Sequence, residues 1–405
     1  MIKRTIQNNI TALLNKYDKM LFISGPRQVG KTTVAKEMLK ERGEGLYFNW
    51  DIIRDQKKLI KDPYFFEKEN RDTHKKFLVV FDEIHKYTRW KNYLKGIYDG
   101  YADEFKFIVT GSGRLDLFKK GGDSLLGRYF SLPLFPFTVG ELLSVPADFK
   151  TFQVNIQDLH DVPAARKIYE QLYQFSGFPE PFLKSSEEFY NIWFQDRKSL
   201  LIREDIRNAS AIREISNMEV LANILPERIG SPLSINALRE DINASFYSLK
   251  DWISILEQFY YLFSIRPFSK SIVRSLKKEP KIYLYDWCEV PHEAFRFENV
   301  VALHLLKAVN TWKALGQGDI NLFYLRDKDK REVDFLITVK GTPYLLVECK
   351  LNDENISNNL LAFQEKTRVP VAVQVVHKKN VSKRMKQNGF IQWVVSAERF
   401  LALLP

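Results

Sequence analysis

The sequence is poor in cysteine and lacks long apolar runs. Only Cys288 and Cys349 occur in 405 residues, which excludes a disulfide framework and argues against a cysteine-based metal cluster. No apolar run approaches the ~18 residues that a membrane span requires. The first four residues lead into an amphipathic helix pattern without the apolar core of a signal peptide. We therefore expect a cytoplasmic protein without a membrane partner.

Histidine is also scarce, and acidic residues are outnumbered. The six histidines, His85 and His304 among them, show no metal-ligand spacing. With 61 basic and 50 acidic residues, the formal net charge is +11, which favours polyanionic partners such as DNA without identifying one. At ~100 to 200 residues per domain, the length predicts several folded domains.

A complete phosphate-binding motif, G-x-x-x-x-G-K-[ST], lies near the start of the chain. It stands between an apolar run of strand type and a run with helical spacing, which is the context that the motif needs. Glycines let backbone N–H groups curl round phosphates, and the helix N-terminus adds partial positive charge. We expect Lys31 to reach the outer phosphates of ATP and the Thr32 hydroxyl to bind Mg²⁺. The predicted nucleotide-binding residues are Gly25, Pro26, Arg27, Gln28, Val29, Gly30, Lys31, Thr32 and Thr33.

A second half of the nucleotide site is predicted where two further apolar runs end. Residues 77–81 read as a parallel strand buried on both faces, and ligands of open α/β sheets bind beyond the carboxyl ends of strands. We expect Asp82 to hold Mg²⁺ and Glu83 to orient and deprotonate the attacking water. The run at residues 105–109 ends in Thr110-Gly111-Ser112, and Thr110 or Ser112 is expected to sense the γ-phosphate.

These motifs resemble one group of bacterial and archaeal AAA-type ATPases. The resemblance rests on the GPRQVGKTT loop, the FDEIHK strand end followed by Trp90, the TGSG strand end and the later SLLGRYFSLPLFPFTVGEL segment. That group carries a C-terminal domain of unknown function related to restriction endonucleases. The resemblance covers nearly the whole chain and implies an α/β multidomain fold.

The implied domains agree with changes of pattern along the chain. They are an AAA-type P-loop ATPase core (residues 1–146), a helical lid (147–215), a winged-helix-like domain (216–290) and a restriction-endonuclease-like α/β domain (291–405). In the third domain Ser234 is the expected cap of a helix, and a second helix with a mixed-charge face follows. Contact of that second helix with DNA and a role in packing or protein contact both stay open.

The resemblance also implies arginines near the nucleotide. In AAA-type assemblies an arginine at the subunit edge commonly completes the neighbour's site. Arg128 in Gly127-Arg128 matches the recurring position, with Arg114 as the alternative, so a homo-oligomer is expected. Arg203 in the lid is a further candidate, and an ion pair of Arg203 with Glu204 or Asp205 is the favoured alternative.

The C-terminal region contains a second group of charged residues. Two strand patterns, residues 332–339 and 344–350, flank the turn signal Lys340-Gly341 and predict a hairpin. Folding the chain at this turn places Asp334 opposite Val347 or Glu348. The two-residue period then puts Glu348 and Lys350 on one face.

This arrangement is similar to the PD-(D/E)XK nuclease core, except that Val333 replaces the proline of that motif. The similarity implies that Asp334 and Glu348 bind Mg²⁺, with Mn²⁺ as an alternative ion, and that Lys350 orients or activates water. It also implies a further metal-side carboxylate, Glu298, on a helix packed against the sheet, and Gln364 is another candidate.

The sequence as a whole predicts an ATP-hydrolysing, DNA-associated protein with a metal-dependent nuclease domain. The alternative is a nucleotide-controlled switch whose C-terminal module binds DNA or protein and cleaves nothing. A basic segment, residues 377–386, is either a solvated face or a phosphate track.

Overall fold

The computed structural model describes residues 2–111, 125–207, 214–269, 278–387 and 389–405. Ser112 and Arg114 lie outside these ranges. The contacts divide the chain into two compact units, Met1–Phe135 with Gln258–Tyr260, and Pro136–Glu257 with Tyr261–Pro405. The four-domain scheme remains a prediction. None of the helices in the described ranges has the length and apolar character needed to cross a membrane.

The first unit contains, within its described residues, a five-stranded parallel sheet in the order β2-β3-β4-β1-β5. Its strands are β1 Met20–Ser24, β2 Gly45–Asn49, β3 Phe77–Asp82, β4 Phe105–Gly111 and β5 Tyr129–Pro133. Its helices are α1 Thr5–Lys16, α2 Lys31–Arg42, α3 Ile53–Lys61 and α4 Trp90–Tyr101. Short 3₁₀ helices occupy Phe65–Lys68 and Ile84–Lys86.

Burial in this sheet follows the apolar runs of the sequence. Every residue of β1, β3 and β4 is buried, as expected for parallel strands covered on both faces. Aromatic side chains, including Phe22, Phe81 and Phe107, form much of the core. Because all strands run the same way, the carboxyl ends of β1, β3 and β4 lie at one end of the sheet.

The second unit begins with helices. They are α5 Val139–Leu142, α6 Phe149–Asn155, α7 Pro163–Phe175, α8 Pro179–Lys184, α9 Glu187–Leu200, a π-helix at Leu201–Ile206, α10 Ile215–Ile224, a 3₁₀ helix at Leu225–Arg228, α11 Ile235–Ile242 and α12 Phe246–Gln258. The predicted cap of α11 is confirmed, since the Ser234 hydroxyl accepts the Ala237 N–H at 3.5 Å.

Strands dominate the rest of this unit. An antiparallel pair, β6 Leu262–Ile265 and β7 Lys281–Leu284, follows α12. The described residues then form a sheet in the order β12-β13-β11-β10-β9-β8. Its strands are β8 Ile320–Arg326, β9 Glu332–Val339, β10 Thr342–Lys350, β11 Val371–Val376, β12 Ser382–Gln387 and β13 Phe390–Ser396. The helices of this part are a 3₁₀ helix at Trp287–Glu289, α13 Glu293–Ala314, α14 Asn358–Thr367 and α15 Ala397–Leu401.

The predicted hairpin is confirmed. Strands β9 and β10 pair antiparallel, with Val339 opposite Thr342. The turn residues Lys340 and Gly341 have φ of +50° and +75°, as a two-residue hairpin turn requires. A bulge between Pro343 and Leu345 shifts the register, so Val347 lies opposite Phe335.

A buried ion pair joins α5 to α13 within the second unit. Lys307 Nζ lies 2.7 Å from Glu141 Oε2 and donates to Thr138 Oγ1 at 2.7 Å. Both charged side chains are almost fully buried. Such a pair contributes to stability only while both charges are present.

We expect Lys307→Met to lower the free energy of unfolding by about 3–5 kcal/mol, because it leaves the Glu141 carboxylate buried without its cation. Urea denaturation measures this. The double variant Lys307→Met/Glu141→Leu removes both charges and should recover most of the loss. If the single and double variants lose the same free energy of unfolding, the pair stabilises the fold through packing and not through charge.

Candidate functional sites

The phosphate-binding motif forms a loop between β1 and α2. Gly25 has φ +155°, and a Cβ on it would lie 2.3 Å from the Leu134 carbonyl oxygen, so the loop requires glycine there. Gly30, with φ +99°, precedes the first residue of α2. Lys31 is buried, and its Nζ donates to the carbonyl oxygens of Gly25 at 2.9 Å and Pro26 at 2.7 Å. The ammonium therefore lies over the loop beside the N-terminus of α2, where phosphate charge is best stabilised.

The Asp82 carboxylate is held by hydroxyl groups from different elements. It is almost fully buried at the end of β3. The Thr32 hydroxyl donates to Asp82 Oδ2 at 2.7 Å, and the Tyr47 hydroxyl donates to the same oxygen at 2.5 Å. The Thr110 hydroxyl donates to Oδ1. The structure thus brings together the residues predicted to bind Mg²⁺. It also gives Thr110 a contact that the sequence did not indicate, and a role of Thr110 as a γ-phosphate sensor remains a prediction.

Glu83 directly follows Asp82 in the left-handed conformation, with φ +55°. Burial raises the pKa of its carboxyl group, and the Lys31 and Lys86 ammonium groups partly oppose that shift. His85 Nε2 lies 3.5 Å and Lys86 Nζ 3.6 Å from Glu83 Oε2. A raised pKa suits a carboxylate that accepts a proton.

Sequence reasoning missed two residues of this site. Tyr47, on β2, was not singled out, although the parallel register of β2 with β3 places Asn49 beside Asp82 and so puts Tyr47 near the same end of the sheet. The Arg4 side chain is buried and donates to the carbonyl oxygens of Val29 at 3.0 Å and Phe135 at 2.6 Å. No local pattern connects Arg4 with the loop, because the two are far apart in sequence.

The predicted arginines make ion pairs within their own units. Arg128 Nε and Nη2 lie 2.7 and 2.9 Å from the two carboxylate oxygens of Asp99. Arg203 pairs with Glu219, at 2.5 Å from Nε to Oε1. The favoured partners of Arg203, Glu204 and Asp205, were therefore wrong, because the side chain reaches across to α10. Contact of either arginine with a nucleotide remains a prediction.

The C-terminal residues converge as the hairpin predicts. Asp334 Oδ2 accepts the Cys349 N–H at 2.8 Å, and Lys350 Nζ lies 2.8 Å from Glu348 Oε1. Burial, with the nearby charge of Asp334, raises the pKa of Glu348 to about 7. The same two causes raise the pKa of Glu298 on α13 to about 7. These carboxyl groups thus share one site.

A lysine that the sequence did not indicate lies inside this site. Lys281, on β7, is almost fully buried, and its Nζ lies 3.0 Å from Glu298, 3.3 Å from Asp334 and 2.6 Å from Glu332. Although burial alone would lower the pKa of Lys281, Tyr283 and these carboxyl groups raise it. An ammonium ion thus already neutralises part of the carboxylate charge.

Lys281 changes which of the predicted carboxylate oxygens could bind a metal ion. Glu298 Oε1 accepts from Lys281 and, at 2.6 Å, from the Tyr283 hydroxyl, so that oxygen is engaged by the protein itself. Among the residues that the structure describes, no group of three histidine, cysteine, aspartate or glutamate side chains is arranged to hold a metal. The atom that fits a cation best is Glu348 Oε2, which is buried without a hydrogen-bond partner in the described part of the chain.

The side chain of Gln364, the further candidate, forms its hydrogen bonds with other parts of the fold. Its amide donates to the carbonyl oxygens of Val369 and Ile391 at 3.2 and 3.1 Å and accepts from Gln392 at 2.8 Å. Gln364 is buried on α14, and its partners lie on β13 and in the segment that follows α14. The prediction of a role for Gln364 at the metal was wrong for this reason.

The family comparisons divide the chain into three matched segments. Residues 17–143 match the model of an AAA domain. Residues 166–288 and 295–400 match two domains of unknown function, DUF8612 and DUF4143. The C-terminal match therefore gives no evidence of a nuclease.

Two similar proteins of known sequence are described as uncharacterized. One from Methanocaldococcus jannaschii is 24% identical over an alignment of 372 residues, which covers 86% of this chain and 78% of that protein. One from Mycobacterium tuberculosis is 20% identical over an alignment of 333 residues, which covers 80% of this chain and 69% of that protein.

Similarity to solved structures is remote. The match to AMPPCP-bound DnaA from Aquifex aeolicus covers 62% of this chain and 86% of the DnaA chain, with 13% identity and a TM-score of 0.30. The match to a Bacteroides Pif1 helicase in complex with ADP-AlF3 and single-stranded DNA covers 42% of this chain and 50% of the helicase chain, with 15% identity and a TM-score of 0.23. The family match shows that residues 17–143 form an AAA domain, and the loop between β1 and α2 has the geometry of a phosphate-binding loop.

Proposed function

We propose that the protein binds and hydrolyses ATP with Mg²⁺ at the loop between β1 and α2. The observation that carries this proposal is the contact of Thr32 Oγ1 with Asp82 Oδ2 at 2.7 Å, next to the Lys31 ammonium. Hydroxyl and carboxylate oxygens are ligands that Mg²⁺ prefers, so the residues present fit the ion. When bound, Mg²⁺ would neutralise charge on the outer phosphates.

Different residues of the chain act in phosphate binding and in hydrolysis. The backbone N–H groups of the loop and Lys31 bind the phosphates. Tyr47 and Thr110 keep the Asp82 carboxylate in one orientation. Glu83 orients a water molecule and accepts its proton, which its raised pKa favours.

We expect Lys31→Ala to abolish turnover and weaken ATP binding, while Glu83→Gln keeps binding and lowers turnover by at least about a hundredfold. Lys31 neutralises phosphate charge in the bound state, whereas Glu83 acts mainly in the transition state. A fluorescent ATP analogue measures binding, and phosphate release measures turnover.

Lys40→Ala is the matched control, because Lys40 is an exposed lysine of the same helix. It should change neither quantity. ATP binding that survives in Lys31→Ala as well as in Glu83→Gln would defeat the assignment of the loop.

We also propose that Arg128 completes the nucleotide site of a neighbouring subunit in a homo-oligomer. Its pair with Asp99 lies at the protein surface, and such pairs are weak enough to exchange for a phosphate. Mixing wild-type with Arg128→Ala subunits should lower ATPase activity more than dilution requires. Two results together would contradict this proposal. ATPase activity would fall only in proportion to the share of Arg128→Ala subunits, and light scattering would show a monomer during turnover.

The second candidate function is metal-dependent phosphodiester cleavage, with DNA as the expected polyanion. The observation that favours it is the buried Glu348 Oε2, which has no hydrogen-bond partner among the described residues and lies in the group of Asp334 and Lys350. Asp334 and Glu348 would hold a Mg²⁺ or Mn²⁺ ion, which would polarise the phosphate when bound. Despite partial burial, the Glu348 carboxylate raises the pKa of Lys350. Lys350 therefore stays charged and would orient water or stabilise the phosphate, without acting as a base.

The alternative for this domain is a binding module that controls or reads the nucleotide state without cleaving. It is favoured by Lys281, which supplies a cation within the cluster from the protein itself. Divalent-metal binding separates the two functions, since the module needs none.

We expect Glu348→Gln to abolish nuclease activity and the divalent-metal binding that the protein shows without nucleotide. It should also stabilise the fold near neutral pH. With a pKa of about 7 in the folded protein against 4.5 ordinarily, the glutamate contributes stability below about pH 4.5 that is lost as the pH rises to about 7. Calorimetry with Mn²⁺, cleavage of linear and single-stranded DNA, and urea denaturation at pH about 5 and about 8 measure these effects.

A matched control is Glu332→Gln, which changes a carboxylate of the Lys281 network that has not been assigned to the metal. It should keep metal binding. If the wild-type protein binds no divalent metal in the absence of nucleotide and cleaves no nucleic acid in any nucleotide state, the nuclease candidate gives way to the binding module.

A further inference from the structure

The Lys281 ammonium lies at a point on which three carboxylate oxygens converge. Its Nζ is 3.0 Å from Glu298 Oε1 on α13, 2.6 Å from Glu332 Oε1 and 3.3 Å from Asp334 Oδ1, both on β9. The side chain of Lys281 is only 1% exposed. Carboxylates from two separate elements of the second unit thus surround one buried positive charge.

The three distances are those of hydrogen bonds to an ammonium ion. They exceed the roughly 2.0–2.6 Å that separate oxygen ligands from Mg²⁺ or Ca²⁺. A divalent ion at the position of Lys281 Nζ would require these oxygens to move inward by about 1 Å or less. The ligand atoms that such an ion prefers are therefore present around this point, and the lysine occupies it.

The charges of the cluster favour one added divalent ion over two. In the described part of the chain its charged side chains, four carboxyl groups and three cations, are Glu298, Glu332, Asp334, Glu348, Lys281, Lys350 and Arg326. With all of them ionised the net charge is −1, because four negative charges face three positive ones. One divalent ion would bring it to +1 and two would bring it to +3, a large excess of like charge for a mostly buried site.

Asp334 interacts with both Lys281 and Glu348. Its Oδ1 faces the ammonium, and its charge contributes to the raised pKa of Glu348. Glu348 Oε2 is buried without a hydrogen-bond partner in the described part of the chain. Nucleases that use two metal ions hold them about 3.5–4 Å apart. In this cluster one carboxylate serves an ammonium ion and a neighbour with an oxygen suited to a metal.

We propose that Lys281 takes the place of a second metal ion, so that the C-terminal site binds a single divalent ion at Asp334 and Glu348. The buried ammonium has no surface for a phosphate, so Lys281 is a positioning residue that holds Glu298 and Asp334 and offsets their charge. The single ion rests on the second candidate function above. The assignment of a cation position to Lys281 does not.

The test counts the Mn²⁺ ions bound by the wild-type and Lys281→Ala proteins without nucleotide, by calorimetry. The alanine variant is expected to bind about one ion per chain more than the wild type, because the three oxygens lose their ammonium partner and keep their charge. Both proteins have the same first unit, so the difference belongs to the second. Mn²⁺ should also raise the unfolding temperature of Lys281→Ala more than that of the wild type.

Lys307→Ala is the matched control. Lys307 is another buried lysine of the second unit, and its ammonium pairs with Glu141. Its removal does not leave three carboxylates around one point, so this variant should gain no Mn²⁺. Loss of a buried ammonium from packing alone would affect the two lysine variants alike, and only the Mn²⁺ count separates them.

A second variant covers the case in which Lys281→Ala unfolds in the presence of a chelator. Lys281→Ala/Glu332→Gln has one carboxylate fewer to repel the others, and it should still bind about one Mn²⁺ more than the wild type. Circular dichroism with and without Mn²⁺ reports the fold of both. If neither variant folds even with Mn²⁺, a divalent ion does not replace the lysine and the proposal fails.

The counts distinguish failure of this inference from failure of the nuclease candidate. No Mn²⁺ in the wild type and one in Lys281→Ala would remove the nuclease candidate and support the cation position of Lys281. Equal counts in the wild type and a folded Lys281→Ala protein would overturn that position. Two ions in the wild type that are both lost in Glu348→Gln would overturn the single-ion site.

Discussion

The nucleotide site depends on the orientation of one buried carboxylate. Asp82 is the last residue of a fully buried strand, and hydroxyls from α2, β2 and β4 donate to its oxygens. These hydrogen bonds, which come from uncharged hydroxyl groups, offset the cost of placing the carboxylate in the interior. The charge therefore remains available to a metal ion. The hydroxyl of Thr32 also ties Asp82 to the phosphate-binding loop, so the two predicted halves of the site are already joined.

The carboxylate cluster of the second unit is built on a different principle. Lys281 brings a buried ammonium ion to within about 3 Å of Glu298, Asp334 and Glu332, and the protein itself offsets part of the repulsion among these groups. Glu348 stands apart, because one of its oxygens is buried without a hydrogen-bond partner in the described residues. The same cluster thus contains a structural part, neutralised by Lys281, and an oxygen suited to an added cation.

Much of both sites could be predicted from local patterns. The phosphate-binding loop, the end of β3 and the hairpin at Lys340-Gly341 each depend on residues close together in sequence. Tyr47 and Lys281 could not be found in this way, because their roles come from contacts between distant segments. Lys281 lies in the polar stretch Lys277-Lys278-Glu279-Pro280-Lys281, and it is buried only because carboxylates of α13 and β9 surround it. Glu298 was correctly placed beside Asp334, but the lysine that engages it was not foreseen.

The central claim is that Asp82 and Thr32 together hold the metal ion of a bound nucleotide. Electron paramagnetic resonance of Mn²⁺, titrated with a non-hydrolysable ATP analogue, tests it in wild-type, Asp82→Asn and Thr32→Ala proteins. The account predicts that each substitution weakens binding of the metal–nucleotide complex by at least about tenfold, and that Tyr47→Phe weakens it less, because Tyr47 acts only through Asp82. Wild-type affinity in the Asp82→Asn protein would contradict the account.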